Sequence, residues 1–360
     1  VGVNFNAKIL PIKIGGDSEL MNSLKAIQAI DYVIDLKTRS PNGEPNLRVI
    51  NASWSMAAPL TAMKTAIDAA GDAGILFVAA AGNGGFDGVG DNIDQPPFLQ
   101  GSWPAAFDSK TLVGVAATDH DDDLATFSNY GPENVDLGAP GVHYYSTLPT
   151  YDSVMTTDYG YSQGYDFASG TSMASPCVSG AAALLFAADP SLTPCDVKGV
   201  LMENVDASLS LDGKTVTGGR LNLANAISET PVDTDGDGTP DVCDDDDDDD
   251  GCEDSIDPAP LLPSEDADTD DFGSDCDCED DNPDVNPGVE EIPGNGIDDD
   301  CNPATRDQLG CGGTATAQAA VYGSGPSTSL VNINLLASFF IPLGMVLILK
   351  RLGRKRQLMR

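Results

Sequence analysis

An α/β fold, with a mostly parallel sheet covered by helices on both faces, is predicted for residues 1–229. Two observations carry it. Charge-free apolar runs of strand length recur along this stretch, and segments with apolar residues at helical spacing separate them. About 228 residues also suffice to bury one core of that kind. In chain order, Lys8 to Ile14 reads as a strand, and Ser18 is the expected cap of a helix on which Leu20, Leu24, Ile27, Ile30 and Ile34 share a face. Leu47 to Ala52 is the next strand and the next helix lies near Thr61 to Ala70. Ile75 to Ala81 and Thr111 to Ala117 are apolar strands, and Val178 to Ala188 is an apolar helix. In such sheets ligands bind at the carboxyl edge, where Ser53 and Asn83 fall.

Gly170-Thr171-Ser172-Met173-Ala174-Ser175-Pro176 presents a serine hydroxyl ahead of that last helix. Gly170 allows a tight turn, and first-turn amides unpaired within the helix place positive potential beside Ser172. Alone, Gly-Thr-Ser is an ordinary cap of a core helix. A second motif outweighs that reading. The run Ile75–Ala81 ends in Gly82-Asn83-Gly84-Gly85, which puts a carboxamide able to donate to an oxyanion in a glycine-rich turn. Two further segments are Val49-Ile50-Asn51-Ala52-Ser53-Trp54-Ser55, and Phe127-Ser128-Asn129-Tyr130-Gly131-Pro132 leading to Gly138-Ala139-Pro140-Gly141.

In order and spacing these four motifs resemble the subtilisin-like serine peptidases, over Val1 to about Glu229. The resemblance implies that Ser172 is the acylating nucleophile and Asn83 the side-chain oxyanion donor, with the Ser172 amide as second donor. It implies that Ser53, Trp54 and Ser55 pair with an extended protein or peptide substrate and form one wall of its specificity pocket, with Ala80, Ala81 and Gly82 as the other. Ser55 stands where the family usually has Gly, which narrows the pocket mouth. Trp103-Pro104 resembles the family's aromatic-Pro turn, a place for a cis peptide. Cys177 replaces a non-catalytic His of the family signature and reads as a small structural residue; a bond to Cys195 would have to span a helix of several turns.

A peptidase serine also needs a base and an acid to orient it. In the family both precede the segment matched by Val1 to Leu10, so the chain is expected to be the C-terminal part of a longer exported enzyme, inactive at family rates by itself. His120 and His143 match loops and read as surface residues. The alternative class is a non-catalytic, calcium-dependent surface adhesion protein on a peptidase-like scaffold.

Composition changes after Glu229: residues 229–300 hold 31 of the 57 acidic residues and no Lys or Arg, which excludes nucleic acid as a partner. Asp233, Asp235, Asp237, Asp241 and Asp244 occupy positions 1, 3, 5, 9 and 12 of a loop, with Gly238 at 6 and the Thr239 carbonyl at 7. That is Ca2+ spacing, and it resembles thrombospondin type 3 repeats, whose form also includes a Cys at the place of Cys243. Much of Asp245–Asp250 and Pro258–Asp271 reads as disordered acidic linker. Cys276 to Cys301, with Asn295-Gly296-Ile297-Asp298-Asp299-Asp300-Cys301 as its ending, resembles the MopE-type metal-binding repeat. Six cysteines between Cys243 and Cys311 allow fifteen connectivities, of which Cys243 with Cys252 is the simplest neighbour pair. They place the region, 230–312, in an oxidising compartment. After a 313–330 linker, residues 331–350, apolar from Leu335 to Leu349 and followed by a basic end at 351–360, read as a membrane-spanning or sorting helix.

Overall fold

Side chains along the central strands of this protein alternate between two cores. β1 (Val49–Ala52), β2 (Leu76–Ala80), β3 (Leu112–Thr118) and β4 (Leu137–Pro140) lie side by side and parallel, in registers such as Val78 with Val113 and Ala116 with Gly138. Leu76, Val78, Val113 and Val115 point into one core; Phe77, Ala79, Leu112 and Ala116 point into another. Helices α1 (Ser23–Thr38) and α2 (Thr61–Asp72) cover the second core, and α3 (Thr171–Ala188) and α4 (Pro194–Glu203) the first. A parallel sheet needs both faces covered, and the continuous apolar runs of β2 and β3 are the consequence. Fully buried side chains such as Phe77, Met63 and Leu76 each contribute about 1.5–3 kcal/mol of hydrophobic stabilisation.

This is a computed structural model, and it describes residues 2–15, 21–39, 45–84, 87–95, 103–148, 150–151 and 160–305. β5 (Tyr144–Thr147) and β6 (Tyr165–Ala168) form a separate antiparallel ribbon. The main sheet continues from β4 to β8 (Gly219–Arg220) in parallel and ends at β7 (Asp206–Ala207), antiparallel to β8. A short helix α5 (Leu223–Ala226) follows. Lys198 on α4 reaches Asp136 ahead of β4 at 3.4 Å in the interior, and the other Asp136 oxygen accepts the Gly114 amide at 2.5 Å. Among the described residues one helix, α3, is long and apolar enough to cross a membrane; here it fills the core against β1–β4.

Several boundaries differ from expectation. Lys8–Ile14 is not a strand: it forms no ladder, β1 is the edge of the sheet, and Ile9 is 89% exposed. An apolar run becomes a strand only where an edge receives its amides and carbonyls. Helix α1 starts at Ser23, capped by the Asn22 side chain, which accepts the Lys25 amide; Ser18 and Leu20 lie outside the described residues. Leu24 is 70% exposed, because the buried face runs through Ala26, Ile30 and Val33. Helix α3 begins at Thr171, seven residues before Val178, and carries Pro176 inside it. The Trp103–Pro104 peptide is cis, as expected.

The acidic region is built of turns and one 3-10 turn, Asp241–Cys243, within the same compact unit as the sheet. Its disulfides are Cys195–Cys243, Cys252–Cys276 and Cys278–Cys301, and Cys177 is free and buried. The expected Cys243–Cys252 pair does not form. The 3-10 turn docks on α4 and brings Cys243 to Cys195, whereas Cys252 belongs to the following loop, beside Gly273. Residues 245–250 and 258–271 are likewise not a disordered linker. Their carboxylates accept backbone amides, as Asp246 does from Gly251 and Asp250 from Cys252 and Ser264, and Asp248 and Asp257 are buried. Cys311, the 313–330 linker, the 331–350 helix and the basic end lie outside the described residues.

Candidate active site and acidic loops

Ser172 is the second residue of α3, two residues beyond the Gly170 cap. Gly170 has φ 154°, which an L side chain resists, and a Cβ there would lie 3.5 Å from Asn83 Nδ2. The Ser172 hydroxyl donates to the Ser53 carbonyl at 3.2 Å, and the Ser53 hydroxyl donates to the Ser172 carbonyl at 2.9 Å. That second bond exists because of Pro176. The helix would pair the Ser172 carbonyl with the amide four residues on, and proline has none.

Asn83 follows β2 through Gly82, whose φ is 93°. Its Oδ1 accepts the Thr171 amide at 2.9 Å and the Thr171 hydroxyl at 3.2 Å, and that hydroxyl accepts the Gly82 amide at 3.1 Å. A backbone N–H needs an acceptor, so these contacts fix which end of the carboxamide is oxygen. Nδ2 is left without an acceptor among the described residues. The Ser172 amide, at the second helical position, is likewise without an intrahelical partner. Thr171 bonds Asn83 and directly precedes Ser172, so both donors belong to one turn, and N–H donors of this kind can stabilise an oxyanion.

Residues outside the sequence-predicted set hold this geometry. Asn129 Nδ2 donates to the Ala81 carbonyl at 3.1 Å, the Asn129 amide donates to the Gly82 carbonyl, and the Gly84 amide donates to the Phe127 carbonyl. The buried Ser128 hydroxyl accepts the Ala117 amide at 2.8 Å. The Phe127–Asn129 motif therefore braces the turn that carries Asn83. Thr171 and Asn129 were legible only as members of their motifs. Ser53–Ser55 leave the end of β1 and Ala80–Gly82 the end of β2, neighbouring strands, so both expected pocket walls stand at the same sheet edge as Ser172. Met56 then bonds Trp103 through its amide.

Neither histidine meets Ser172. His120 is exposed and pairs with Asp121 at 3.3 Å, and His143 is exposed with φ 51°. Cys177, one turn beyond Ser172, donates to the Met173 and Pro140 carbonyls. Burial pushes its thiol above the ordinary cysteine range, so it is a packing residue and not a nucleophile.

In the first acidic loop, carboxylates of Asp233, Asp235 and Asp237 gather with one oxygen each inside 4.8 Å, and Gly238 has φ 99°. The Asp241 carboxylate accepts the Thr234 amide and hydroxyl; the Thr239 amide donates to Asp237; and Asp244 accepts the Asp245 and Asp246 amides. One oxygen each from positions 1, 3 and 5 is gathered, and Asp233, Asp235, Asp237, Asp241 and Asp244 all accept backbone amides. Farther on, burial and then the charge of Asp254 push Asp247 up to about 6, and burial raises Asp248, Asp268 and Asp277. Asp277, Cys278 and Cys301 also lie together, but Cys278 and Cys301 are joined in a disulfide and offer no thiolate.

Comparison with known proteins identifies the family of the chain. The subtilase family model matches residues 1–237, and a MopE-type metal-binding motif matches residues 277–307. Subtilisin DY of Bacillus licheniformis is 35% identical over 198 residues, 55% of this chain and 61% of that protein. Subtilisin Savinase of Lederbergia lenta is 30% identical over 230 residues, 63% of this chain and 70% of that protein. Among solved structures, one of the proteases from Pseudoalteromonas arctica PAMC 21717 is 27% identical with a TM-score of 0.49, over 63% of this chain and 64% of that one. The chain thus spans 61% of the length of subtilisin DY. The family model matches well over half of the chain, across the Ser172 turn, the Asn83 turn and the Phe127–Asn129 brace, and the chain belongs to the subtilase family.

Proposed function

We propose that the chain serves a serine endopeptidase that hydrolyses peptide bonds of proteins through an acyl-enzyme on Ser172. The observation that carries this is the Asn83–Thr171–Ser172 cluster, in which Thr171 occupies the carboxamide oxygen, so that Nδ2 has no acceptor among the described residues and the Ser172 amide none within the helix. Attack by Ser172 Oγ on the scissile carbonyl would place its oxygen between these donors, and water would later release the acyl group. A base must take the Ser172 proton. His120 and His143 are elsewhere, so the reaction calls for an imidazole from outside these 360 residues. Ser53–Ser55 would pair with an extended substrate, with Ala80–Gly82 opposite.

The first acidic loop would hold Ca2+ through Asp233, Asp235, Asp237, Asp241 and Asp244 with the Thr239 carbonyl, an all-oxygen donor set suited to a hard cation. Export fits the three disulfides among the described residues, and residues 331–350, apolar from Leu335 to Leu349, would hold the protein in a membrane. In the complete protein, Ser172→Ala should abolish labelling by a fluorophosphonate probe; persistent labelling would take the nucleophile's role from Ser172. EDTA should lower the melting temperature of the acidic region or its resistance to proteolysis, and Asp235→Ala should do the same. No change in either would remove the calcium loop.

A further inference from the structure

We propose that residues 246–257 and 266–277 are two further hard-cation sites, each binding one Ca2+-class ion. Aligned on the first loop, positions 1, 3 and 5 are Asp233, Asp235 and Asp237, then Asp246, Asp248 and Asp250, then Asp266, Asp268 and Asp270. Each trio brings one carboxylate oxygen per residue inside 4.8 Å. Positions 4 and 6 have positive φ in all three: Gly236 and Gly238, Asp249 and Gly251, Thr269 and Asp271. In each, the amide at position 7 donates to the carboxylate at position 5: Thr239 to Asp237, Cys252 to Asp250, Phe272 to Asp270. This repeat sets the register.

The oxygens left over in that register point to the ligand. Asp248, only 7% exposed, has both carboxylate oxygens buried without a hydrogen-bond partner, and buried oxygens of Asp246 and of Asp257, at position 12 and 8% exposed, are likewise unpartnered. In the third loop both oxygens of Asp268 and one of Asp277, at position 12 and 7% exposed, are in the same state. Asp257 lies close enough to Asp248 to repel it, and Asp277 does the same to Asp268. Buried carboxylate oxygens without donors are strongly unfavourable, and residues 229–300 contain no Lys or Arg to pair with them. A divalent cation satisfies them together. An all-oxygen donor set in a flexible twelve-residue loop suits Ca2+ over softer metals, and over Mg2+, which demands strict octahedral geometry.

The experiment is native mass spectrometry of the full chain, stripped with EDTA and returned to Ca2+. Asp248→Asn and Asp268→Asn should each bind one ion fewer than wild type, and the double variant two fewer; unchanged counts would overturn the proposal. Hydrogen exchange of the wild-type chain tests the same sites without relying on variants that fold. Adding Ca2+ should slow amide exchange in both 246–257 and 266–277, and a loop whose exchange does not change is not a site.

Discussion

Thr171 decides which way the Asn83 carboxamide faces. By giving both its amide and its hydroxyl to Oδ1, it leaves Nδ2 without an acceptor among the described residues. Removing an oxyanion donor altogether costs about a hundredfold to a thousandfold in turnover, a magnitude known for subtilisin itself. Thr171→Val keeps the amide bond and loses the hydroxyl contacts to Asn83 and Gly82, so in the complete protein kcat should fall by about tenfold with KM little changed. A rise in KM at constant kcat would show that Thr171 shapes substrate binding instead. Ser172 and Asn83 were legible in the sequence because each sits in a local motif whose turn chemistry is readable. Thr171's role was not, since its partner lies 88 residues away and only the folded sheet edge brings them together.

At the scale of elements, β1, β2 and β3 were read nearly to their ends and α2 from its first residue, while Lys8–Ile14 was read as a strand that does not form and the starts of α1 and α3 were missed. Strands announce themselves by apolar runs, but a helix start depends on which cap wins. Asn22 took α1, and Gly170 started α3 ahead of Pro176, which sequence reading treats as a breaker. Pro176 is tolerated because Ser53 accommodates the carbonyl it leaves unpaired, so the start of α3 and the Ser53–Ser55 segment are tied at Ser172. The end of α1 carries a pH dependence. Lys37 donates to the Gly74 carbonyl at 2.6 Å beyond α2, and burial, with the Arg48 charge adding to it, lowers its amine to about 8. The unfolded chain, with an ordinary lysine near 10.4, binds more protons between those values, so this residue's contribution to stability rises with pH across that window. Wild type should therefore gain on Lys37→Gln in urea unfolding midpoint between pH 8 and 10; parallel midpoints across that range would exclude the effect.

Across the whole molecule, the peptidase-like sheet and the acidic loops are joined at α4. The helix starts with a capping box, Thr193 with Asp196, and its second residue, Cys195, is bonded to Cys243 in the tail. Glu203 at its far end accepts the Val232 amide, and its Gly199 lies against Pro231 and Val242. The other face of α4 places Val197, Val200 and Leu201 in the core beneath α3, so tail and α3 share one layer. None of this connectivity was legible, because disulfide partners are set by distance in the fold and not along the chain. The phase of the loops was hidden too, within seven consecutive aspartates, Asp244–Asp250, that only Gly251 resolves. The tether should stabilise more than the tail. Closing a 48-residue separation restricts the unfolded chain, a contribution of about 2–4 kcal/mol for a typical bond of this kind. Replacing both Cys195 and Cys243 by Ser should lower the unfolding free energy by about that amount and split one melting transition into two, the acidic region melting first. A single transition with an unchanged midpoint would mean that the noncovalent contacts of α4 hold the tail on their own.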